Sequence, residues 1–232
     1  MYFQHSGEIW RDFPELVPGI LFVAGITPDA PAGARAEKFL ATAKARLAER
    51  PESELPEIQA WRRAFSRMGL KPTQYRCAAE SLLRRFRKEG SLPPLHPLVD
   101  LCNAISLAFA IPVAVFDASA ITRGVEVRYA AGDEEYVTFS GEVEHPDAGE
   151  VIFCDEAGQA HARRWTHRQS GRSAVRSSTT AALIVAEAMH AEASRDVREL
   201  LAVVAGELDA VWSAAAAASV LSAGSRRVTF GI

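Results

Sequence analysis

The sequence LVDLCNAISLAFAIPVAVFD at residues 98–117 contains the change of periodicity that decides the fold. Its first part, residues 98–110, is a mostly apolar segment of helical length. Pro112 separates this segment from a β-branched run at residues 113–116. Helical patterns dominate the chain before this stretch, whereas short β-rich runs follow it. The stretch therefore marks a boundary between a helix-rich part and a strand-rich part of the chain.

The patterns on either side of this boundary predict an α+β fold. Before it, one short strand and three amphipathic helices are indicated, at residues 19–25, 34–50, 57–68 and 74–89. After it, turn signals separate β-rich runs at residues 113–116, 125–129, 136–139, 151–154 and 161–165. Helical patterns return at residues 178–191 and 195–223, and a last strand is predicted at residues 226–230. Because the β-rich runs are too close together for βαβ crossovers, we expect mainly antiparallel or mixed sheets packed with helices, and not a doubly wound fold.

Composition places the chain among ordinary globular proteins. It has 232 residues, of which 48% are hydrophobic and 24% charged, which suits one domain with a sizeable core. No run approaches the roughly 18–20 apolar residues of a membrane span, and residues 1–5 do not resemble an export signal, so we expect a cytoplasmic protein without membrane association. The cysteines are widely spaced, which argues against a disulfide scaffold or a zinc site. We expect no metal and no organic cofactor.

Charge is unevenly distributed, although the formal net charge is only −3. Residues 61–90 carry nine basic and two acidic side chains, residues 126–156 carry ten acidic and one basic, and residues 157–178 carry five arginines and no acid. The first basic segment could bind RNA, since phosphate contacts supply most nonspecific affinity for nucleic acids, or it could pair with the acidic segment within the molecule. The RNA-binding candidates are Arg76, Arg84, Arg87 and Lys88. No DNA binding is expected.

Polar residues on the apolar helix form the first candidate site. Asp100, Asn103 and Ser106 are spaced three apart and therefore share one helix face. In one interpretation they hydrogen-bond to the neighbouring loop and hold its proline-rich turn. In the other, Asn103 faces a polar ligand with its two donors and one acceptor.

The segment RRWTHRQS at residues 163–170 is the second candidate site. It is either a solvated arginine-rich turn or the mouth of a site that binds an anion or a nucleotide. In the second interpretation Arg163, Arg164 and Arg168 bind the anion, and Trp165 is a stacking platform. His167 would place water or act as a base, because the unperturbed pKa of histidine is about 6.5.

The spacing of two motifs resembles that of a known family. The pattern Val-Asp-x-x-Asn at residues 99–103 is followed by Pro-x-x-x-Phe-Asp at residues 112–117. Together they resemble a signature of the editing domain, the B3/B4 region, of the phenylalanyl-tRNA synthetase beta subunit. The chain, residues 1–232, thus looks like a single free-standing domain of that kind. The resemblance implies a recognisable core at about residues 72–191, a strand and helix extension at residues 1–56 and a helical extension at residues 192–232.

The resemblance also implies a pocket, although this sequence departs from it. The synthetase domain hydrolyses tyrosine wrongly esterified to phenylalanine tRNA. Its pocket includes an asparagine that matches Asn103, a histidine two residues after the proline, and a glutamate in a glycine-rich segment. The position of the histidine is Ala114 here, and an ungapped comparison places the glutamate near residues 166–168, which leaves Arg168 in its place. We therefore expect a pocket that favours an anionic or phosphate-rich ligand over a neutral phenol.

These observations predict a trans-acting, editing-type hydrolase that deacylates a mischarged aminoacyl-tRNA, and not a synthetase. The predicted catalytic residues are His167, which activates or places water, and Asn103, which orients the ester. The predicted substrate-binding residues are Arg164, Trp165, Arg168, Gln169, Asp100 and Asp117.

Two other functions are compatible with the same residues. One is a non-catalytic module, derived from the editing domain, that binds RNA or an amino acid. The other is a protein-interaction platform formed by the alanine-rich C-terminal helix. The residues indicate neither the amino acid, nor the tRNA, nor an oligomeric state.

Overall fold

The computed structural model describes residues 1–231, and it confirms an α+β fold with mixed and antiparallel sheets. Within this range the α-helices are α1 (Gly7–Asp12), α2 (Gly33–Glu49), α3 (Pro56–Arg67), α4 (Ala78–Glu89), α5 (Pro97–Phe109) and α6 (Ala193–Trp212). The strands are β1 (Tyr2–His5), β2 (Val17–Ala24), β3 (Val113–Asp117), β4 (Gly124–Tyr129), β5 (Tyr136–Val137), β6 (Val143–Glu144), β7 (Val151–Asp155), β8 (Ala160–Arg163), β9 (Arg168–Gln169), β10 (Ala181–Ala188), β11 (Ala217–Val220) and β12 (Arg227–Thr229).

Two larger sheets and one two-stranded ribbon organise these strands. The first sheet has the order β11-β2-β10-β3 and is antiparallel throughout. The second has the order β12-β1-β4-β7-β8-β9, in which β1 and β4 run parallel. Strands β5 and β6 form the ribbon. Because β1 joins one large sheet and β2 the other, the residues before α2 are part of both.

The four-stranded sheet separates two apolar layers. On one face, Ile184 of β10 belongs to a core that includes Ile105 of α5. On the other face, Val185 belongs to a core that includes Phe153 of the six-stranded sheet and Trp61 of α3. Successive side chains of a strand point to opposite faces, so β10 is buried on both sides. This double burial explains why its sequence is almost continuously apolar.

Residues 181–188 form strand β10, so the helix predicted at residues 178–191 is wrong. The sequence of this strand, AALIVAEA, combines good helix formers with a short apolar run, and periodicity cannot distinguish such a run from a buried helix. Pairing with β2 on one side and with β3 on the other decides the outcome. Ladder hydrogen bonds and burial on both faces outweigh the intrinsic preference of alanine for a helix.

The C-terminal helix is shorter than the predicted 195–223. Helix α6 ends before Ser213, whose φ of 51° lies in the left-handed region. The alanine-rich residues that follow form β11, which pairs with β2. An available sheet edge thus overrides the helix propensity of alanine. The interaction platform that depended on an alanine-rich helix loses its basis here.

Most other predicted elements are present with small shifts. Helices α2, α3 and α5 begin and end within one residue of the predicted positions. Helix α4 begins at Ala78 instead of residue 74, because the Cys77 sulfur caps it by accepting a hydrogen bond from the Glu80 amide. Strands β4, β7 and β8 form the expected antiparallel meander, and β9, which was not predicted, extends it. The strand predicted at residues 136–139 ends at Val137 and pairs with β6 instead, and β3 joins the other sheet. Among the helices of residues 1–231, none has the length and apolar character needed to cross a membrane.

Candidate functional site

A cavity opens at the edge of the four-stranded sheet, where β3 meets the β8–β9 connection and the first turn of α4. Its volume is about 70 Å³. The wall consists of Ala78, Pro112, Val113, Ala114, Phe153, Ala162, Trp165, Thr166, His167, Arg168, Gln169, Val185 and Glu187. Most of this wall is apolar and a few polar groups converge on it, which is the arrangement that small-molecule sites in proteins share.

The connection between β8 and β9 turns sharply to reach the cavity. Arg164 and Trp165 have φ values of 47° and 58°, so two consecutive non-glycine residues occupy the left-handed region. Such a backbone costs about 1–3 kcal/mol per residue and persists only where packing offsets it. The buried Trp165 ring supplies that packing, edge-on against Trp61 at 5.2 Å and Phe13 at 4.8 Å between ring centroids. A ring buried in this way does not offer a face to a base, so the prediction of Trp165 as a stacking platform is wrong.

His167 lies in the cavity wall as a neutral base. Its Nδ1 is 2.8 Å from the backbone oxygen of Arg76 and 3.4 Å from the Arg76 backbone nitrogen. The oxygen can only accept and is the nearer atom, so we assign the proton to Nδ1, which leaves Nε2 as an acceptor. Burial lowers the pKa of His167, the hydrogen bond to Arg76 opposes this change, and the charges of Arg164 and Arg168 add to it. His167 is therefore uncharged near neutral pH, which is the state that a general base needs.

Gln169 and Arg168 bring hydrogen-bond donors to the same opening. Gln169 Nε2 donates to the backbone oxygen of Val115 on the edge strand β3, at 2.8 Å. This bond fixes the amide and leaves its second N–H and its oxygen for other partners. The exposed Arg168 guanidinium lies 5.4 Å from the centre of the Tyr136 ring and 3.3 Å from the Glu144 carboxylate. Both contacts hold Arg168 beside the cavity while solvent, or an anion, still reaches it.

The acidic segment at residues 126–156 pairs with the arginines that follow it. Arg163 is buried and donates to both carboxylate oxygens of Glu150 at 2.9 Å and to Glu144 at 2.6 Å. Arg164 lies 3.8 Å from Glu150, in a surface groove outside the cavity. Carboxylates thus neutralise much of the positive charge of this segment, and neither Arg163 nor Arg164, both predicted to bind an anion, joins the cavity wall.

The basic segment at residues 61–90 does not pair with the acidic one through any ion pair of the described residues. Its ion pairs join Arg62 and Arg76 to Glu80, Arg67 to Glu15, Arg85 to Glu89, and Arg87 to Glu52. The alternative of pairing between the two segments is therefore wrong. Of the RNA-binding candidates, Arg76 and Arg87 hold acidic partners, while Arg84 and Lys88 are exposed on α4.

The polar face of α5 has a structural role. The Asp100 carboxylate accepts hydrogen bonds from the Leu95 amide at 3.0 and 3.3 Å, which holds the proline-rich loop against the helix. Ser106 Oγ donates to the backbone oxygen of Ile111 at 2.6 Å. Asn103 is half-buried on the same helix and is not one of the residues that line the cavity. Of the two predicted catalytic residues, His167 therefore lies in the wall and Asn103 does not.

Asp117 also serves the fold. Its carboxylate accepts hydrogen bonds from the Ser119 amide at 2.9 Å and from the Thr179 hydroxyl at 2.6 Å. These bonds tie the end of β3 to the loop before β10, and the carboxylate is buried among them. Asp117 lies outside the cavity wall, like Asp100 and Arg164.

Sequence reasoning missed the carboxylate of the cavity wall, Glu187 of β10. Glu187 is 1% exposed, and its Oε1 is 2.6 Å from His5 Nε2. Trp165 Nε1 donates to its Oε2 at 2.9 Å, and Trp61 Nε1 donates to its backbone oxygen at 3.2 Å. The predicted helix at residues 178–191 hid this site, and His5 is 182 residues away in sequence. The available signal was a single acid inside an apolar run, since a buried charge needs a partner.

A group of potential metal ligands lies outside the cavity, between α3 and α6. Ligand atoms of Glu57, His190 and Asp196 are within 4.8 Å of one another. Arg46 already donates to Glu57 at 2.7 Å, and Arg195 donates to Asp196 at 2.9 Å. These guanidinium groups oppose the binding of a cation, so the cluster is best described as two neighbouring sets of ion pairs, Arg46 with Glu57, and His190 and Arg195 with Asp196.

Comparison with known proteins identifies relatives of part of this chain. Residues 60–202 match the B3/4 domain family. The phenylalanine-tRNA ligase beta subunit of Haemophilus influenzae is 25% identical over 116 residues, which are 50% of this chain and 14% of that protein. The beta subunit of Coxiella burnetii is 38% identical over 63 residues, which are 27% of this chain and 8% of that protein. The chain thus spans only 14% and 8% of the length of these relatives.

A solved structure gives a weaker likeness. An N-terminal fragment of the phenylalanyl-tRNA synthetase beta subunit from Pyrococcus horikoshii is similar with a TM-score of 0.48 and 12% sequence identity. The similarity covers 92% of this chain and 49% of that one. The family match and the curated relatives confirm the resemblance carried by the motifs at residues 99–117. The division into a core and two extensions stays a prediction.

Proposed function

The chain belongs to the B3/4 domain family, and from that premise we propose that it hydrolyses the ester bond of a mischarged aminoacyl-tRNA in trans. The composition of the cavity wall carries this proposal. Ala114 and residues 166–168, which the resemblance aligns with pocket positions of the editing domain, are far apart in sequence and line the same cavity. A cavity at that place supports a substrate-binding role for this segment.

In this proposal the esterified amino acid places its side chain in the apolar cavity and its carbonyl group at the opening. His167 Nε2 accepts a proton from water as the water oxygen attacks the carbonyl carbon, and the ribose oxygen receives that proton as the C–O bond breaks. The second N–H of Gln169 stabilises the oxyanion of the tetrahedral intermediate. Because the ester is activated, a placed water and these donors suffice without a protein nucleophile.

The phosphates of the tRNA meet the basic residues around the opening. Arg168 is exposed beside the cavity and pairs with the terminal ribose-phosphate. Helix α4 begins at the cavity with Ala78 and carries the exposed Arg84 and Lys88 along its length. A strand of RNA that follows this helix would therefore contact phosphate-binding side chains after it leaves the opening.

Deacylation of a panel of mischarged tRNAs tests the proposal. The wild-type protein should cleave at least one ester above the background rate, and His167→Ala should lower that rate by about 10²- to 10⁴-fold. His145→Ala is the matched control, because His145 is exposed outside the cavity and makes one hydrogen bond to the Glu134 backbone. The proposal fails if every ester is cleaved at background rate, or if His167→Ala equals the wild type.

Asn103→Ala belongs in the same panel. An unchanged rate would remove Asn103 from the predicted catalytic set, in keeping with its place outside the cavity wall. A loss comparable to that of His167→Ala would show that the substrate reaches α5.

A non-catalytic module is the second candidate function. It is favoured by Ala114 and Arg168, which stand where the resemblance places a histidine and a glutamate. Such a module would bind tRNA with an affinity that falls as salt rises, and would leave the ester intact. Filter binding at increasing salt concentrations, alongside the deacylation panel, separates the two functions.

A further inference from the structure

We propose that the cavity selects an amino acid with a small side chain that ends in a hydroxyl group, and that Glu187 accepts the hydrogen bond of this hydroxyl. The inference rests on the proposed function, because it assigns the substrate class of the same cavity. Three features of the wall carry it: its volume, its only carboxylate among the described residues, and the fixed orientation of that carboxylate.

The volume favours a small side chain over a large aromatic one. The cavity, which opens to the surface at one end, has a volume of about 70 Å³, whereas an apolar protein cavity that accepts benzene has about 150 Å³. A space of less than half that size takes about two or three heavy atoms, as in the side chains of serine, threonine and valine. Val113 and Ala114 of β3 and Val185 of β10 form part of this wall. Ladder hydrogen bonds join the two strands, so this part of the wall does not widen without breaking the sheet.

The chemistry of Glu187 selects among side chains of that size. The carboxylate accepts hydrogen bonds only, and each oxygen receives one donor, from His5 or from Trp165, which leaves a further lone pair on each. A ligand group that approaches Glu187 must therefore be a donor. A side-chain hydroxyl of serine or threonine meets this condition, whereas the methyl groups of alanine and valine do not.

The contacts of Glu187 also fix its orientation. His5 comes from β1 of the six-stranded sheet and Trp165 from the turn after β8, and both are buried. Each of them holds one carboxylate oxygen, so the group cannot rotate towards or away from the ligand. A fixed acceptor discriminates well, because a ligand without the matching donor leaves a desolvated charge unsatisfied.

The expected selectivity follows from the strength of one hydrogen bond to a charged group. Threonine and valine have nearly the same shape and differ by a hydroxyl in place of a methyl group. A hydrogen bond to a carboxylate corresponds to a preference of about 10- to 100-fold for the threonyl over the valyl ligand. The seryl ligand should likewise bind better than the alanyl ligand, and a tyrosyl ligand should bind worst.

The test uses non-hydrolysable adenosine analogues in which an amide replaces the 3′ ester, carrying threonine, valine, serine, alanine or tyrosine. Their affinities for the full chain are measured by calorimetry, and deacylation rates of the corresponding aminoacyl-tRNAs are measured in parallel. Glu187→Leu should remove the threonyl preference. Because that variant also breaks buried bonds, Ala114→Leu serves as a second variant, which fills the cavity without touching the His5 contact and should abolish binding of all five analogues.

The outcomes separate this inference from the proposed function. A threonyl preference in binding without cleavage supports the inference and overturns hydrolysis. Cleavage of a valyl or tyrosyl ester as fast as a threonyl ester, with equal affinities of the analogues, overturns the inference and leaves hydrolysis standing. Strong binding by Ala114→Leu places the side chain outside the cavity and also overturns the inference. If no compound binds and none is cleaved, both the inference and the proposed function are overturned.

Discussion

Replacing His5 by alanine removes one partner of the buried pair that joins the two sheets. His5 belongs to β1 of the six-stranded sheet and Glu187 to β10 of the four-stranded sheet, and their contact of 2.6 Å is fully enclosed. After the substitution Glu187 keeps the hydrogen bond from Trp165, but its Oε1 loses its protein donor while the side chain stays buried. Removing one partner of a buried pair costs about 3–5 kcal/mol, because the remaining charge is uncompensated.

That cost is a large fraction of the free energy of unfolding of a typical domain, which is about 5–15 kcal/mol. For a chain of this size each kcal/mol lowers Tm by about 2–4 °C, so His5→Ala should lower Tm by about 6–20 °C. Urea unfolding followed by tryptophan fluorescence measures the effect, since Trp61 and Trp165 both donate to Glu187. His145→Ala is the control, and the exposed position of His145 predicts a change within about 0.5 kcal/mol.

A double substitution separates the pair from the packing around it. His5→Leu combined with Glu187→Leu leaves no buried charge, so it should cost less than His5→Ala alone, with the lost acceptor of Trp165 contributing about 1–3 kcal/mol. A cost of His5→Ala below about 1 kcal/mol would refute the reasoning, because the pair would then contribute no more than an exposed ion pair.

Three further predictions concern pH, thiols and backbone packing. Because burial lowers the pKa of His167 and its neutral form is the base, kcat/KM should stay constant as the pH falls to about 6.5 and decrease only below it; an acidic limb above pH ~7 would contradict this role. Burial raises the pKa of the Cys77 and Cys102 thiols to about 12 and that of the Cys154 thiol to about 11. A thiol reagent at mildly alkaline pH should therefore react with these cysteines in urea and not in the native protein. Gly171→Ala would place a Cβ 2.6 Å from the Thr138 backbone oxygen and should cost about 1–3 kcal/mol in urea unfolding, whereas Gly33→Ala, with nothing within 4 Å, should cost nothing.

Local patterns predicted the elements whose structure local interactions determine. The amphipathic helices α2 and α3 carry their polar and apolar residues at helical spacing, and both appear within one residue of the expected ends. The predictions for the residues of strands β10 and β11 were wrong for the opposite reason. Their alanine-rich sequences favour a helix in isolation, and only pairing with β2, which is distant in sequence, makes them strands.

The candidate site shows the same division between local and distant information. Periodicity could place His167 and Gln169 at the end of a strand, but it could not show which residues face them. The motif resemblance reached further, since it aligned Ala114 with the same pocket as residues 166–168, and both line one cavity. The pairing of His5 with Glu187 had no such motif and was visible only once the two sheets were assembled.

The charges around the cavity differ from those that the sequence predicts, and the difference bears on the ligand. By sequence alone, an arginine-rich segment without acids favours an anionic ligand along its whole length. In the folded chain, however, Glu150 neutralises the charge of Arg163 and part of the charge of Arg164. The charges that remain in the cavity wall follow an order of depth, with the carboxylate of Glu187 buried and the guanidinium of Arg168 exposed. A ligand that fits this order has a hydrogen-bond donor at one end and an anionic group at the other. An amino acid esterified to the terminal ribose-phosphate of a tRNA has that polarity, because its side chain can carry a hydroxyl while its phosphate stays at the surface.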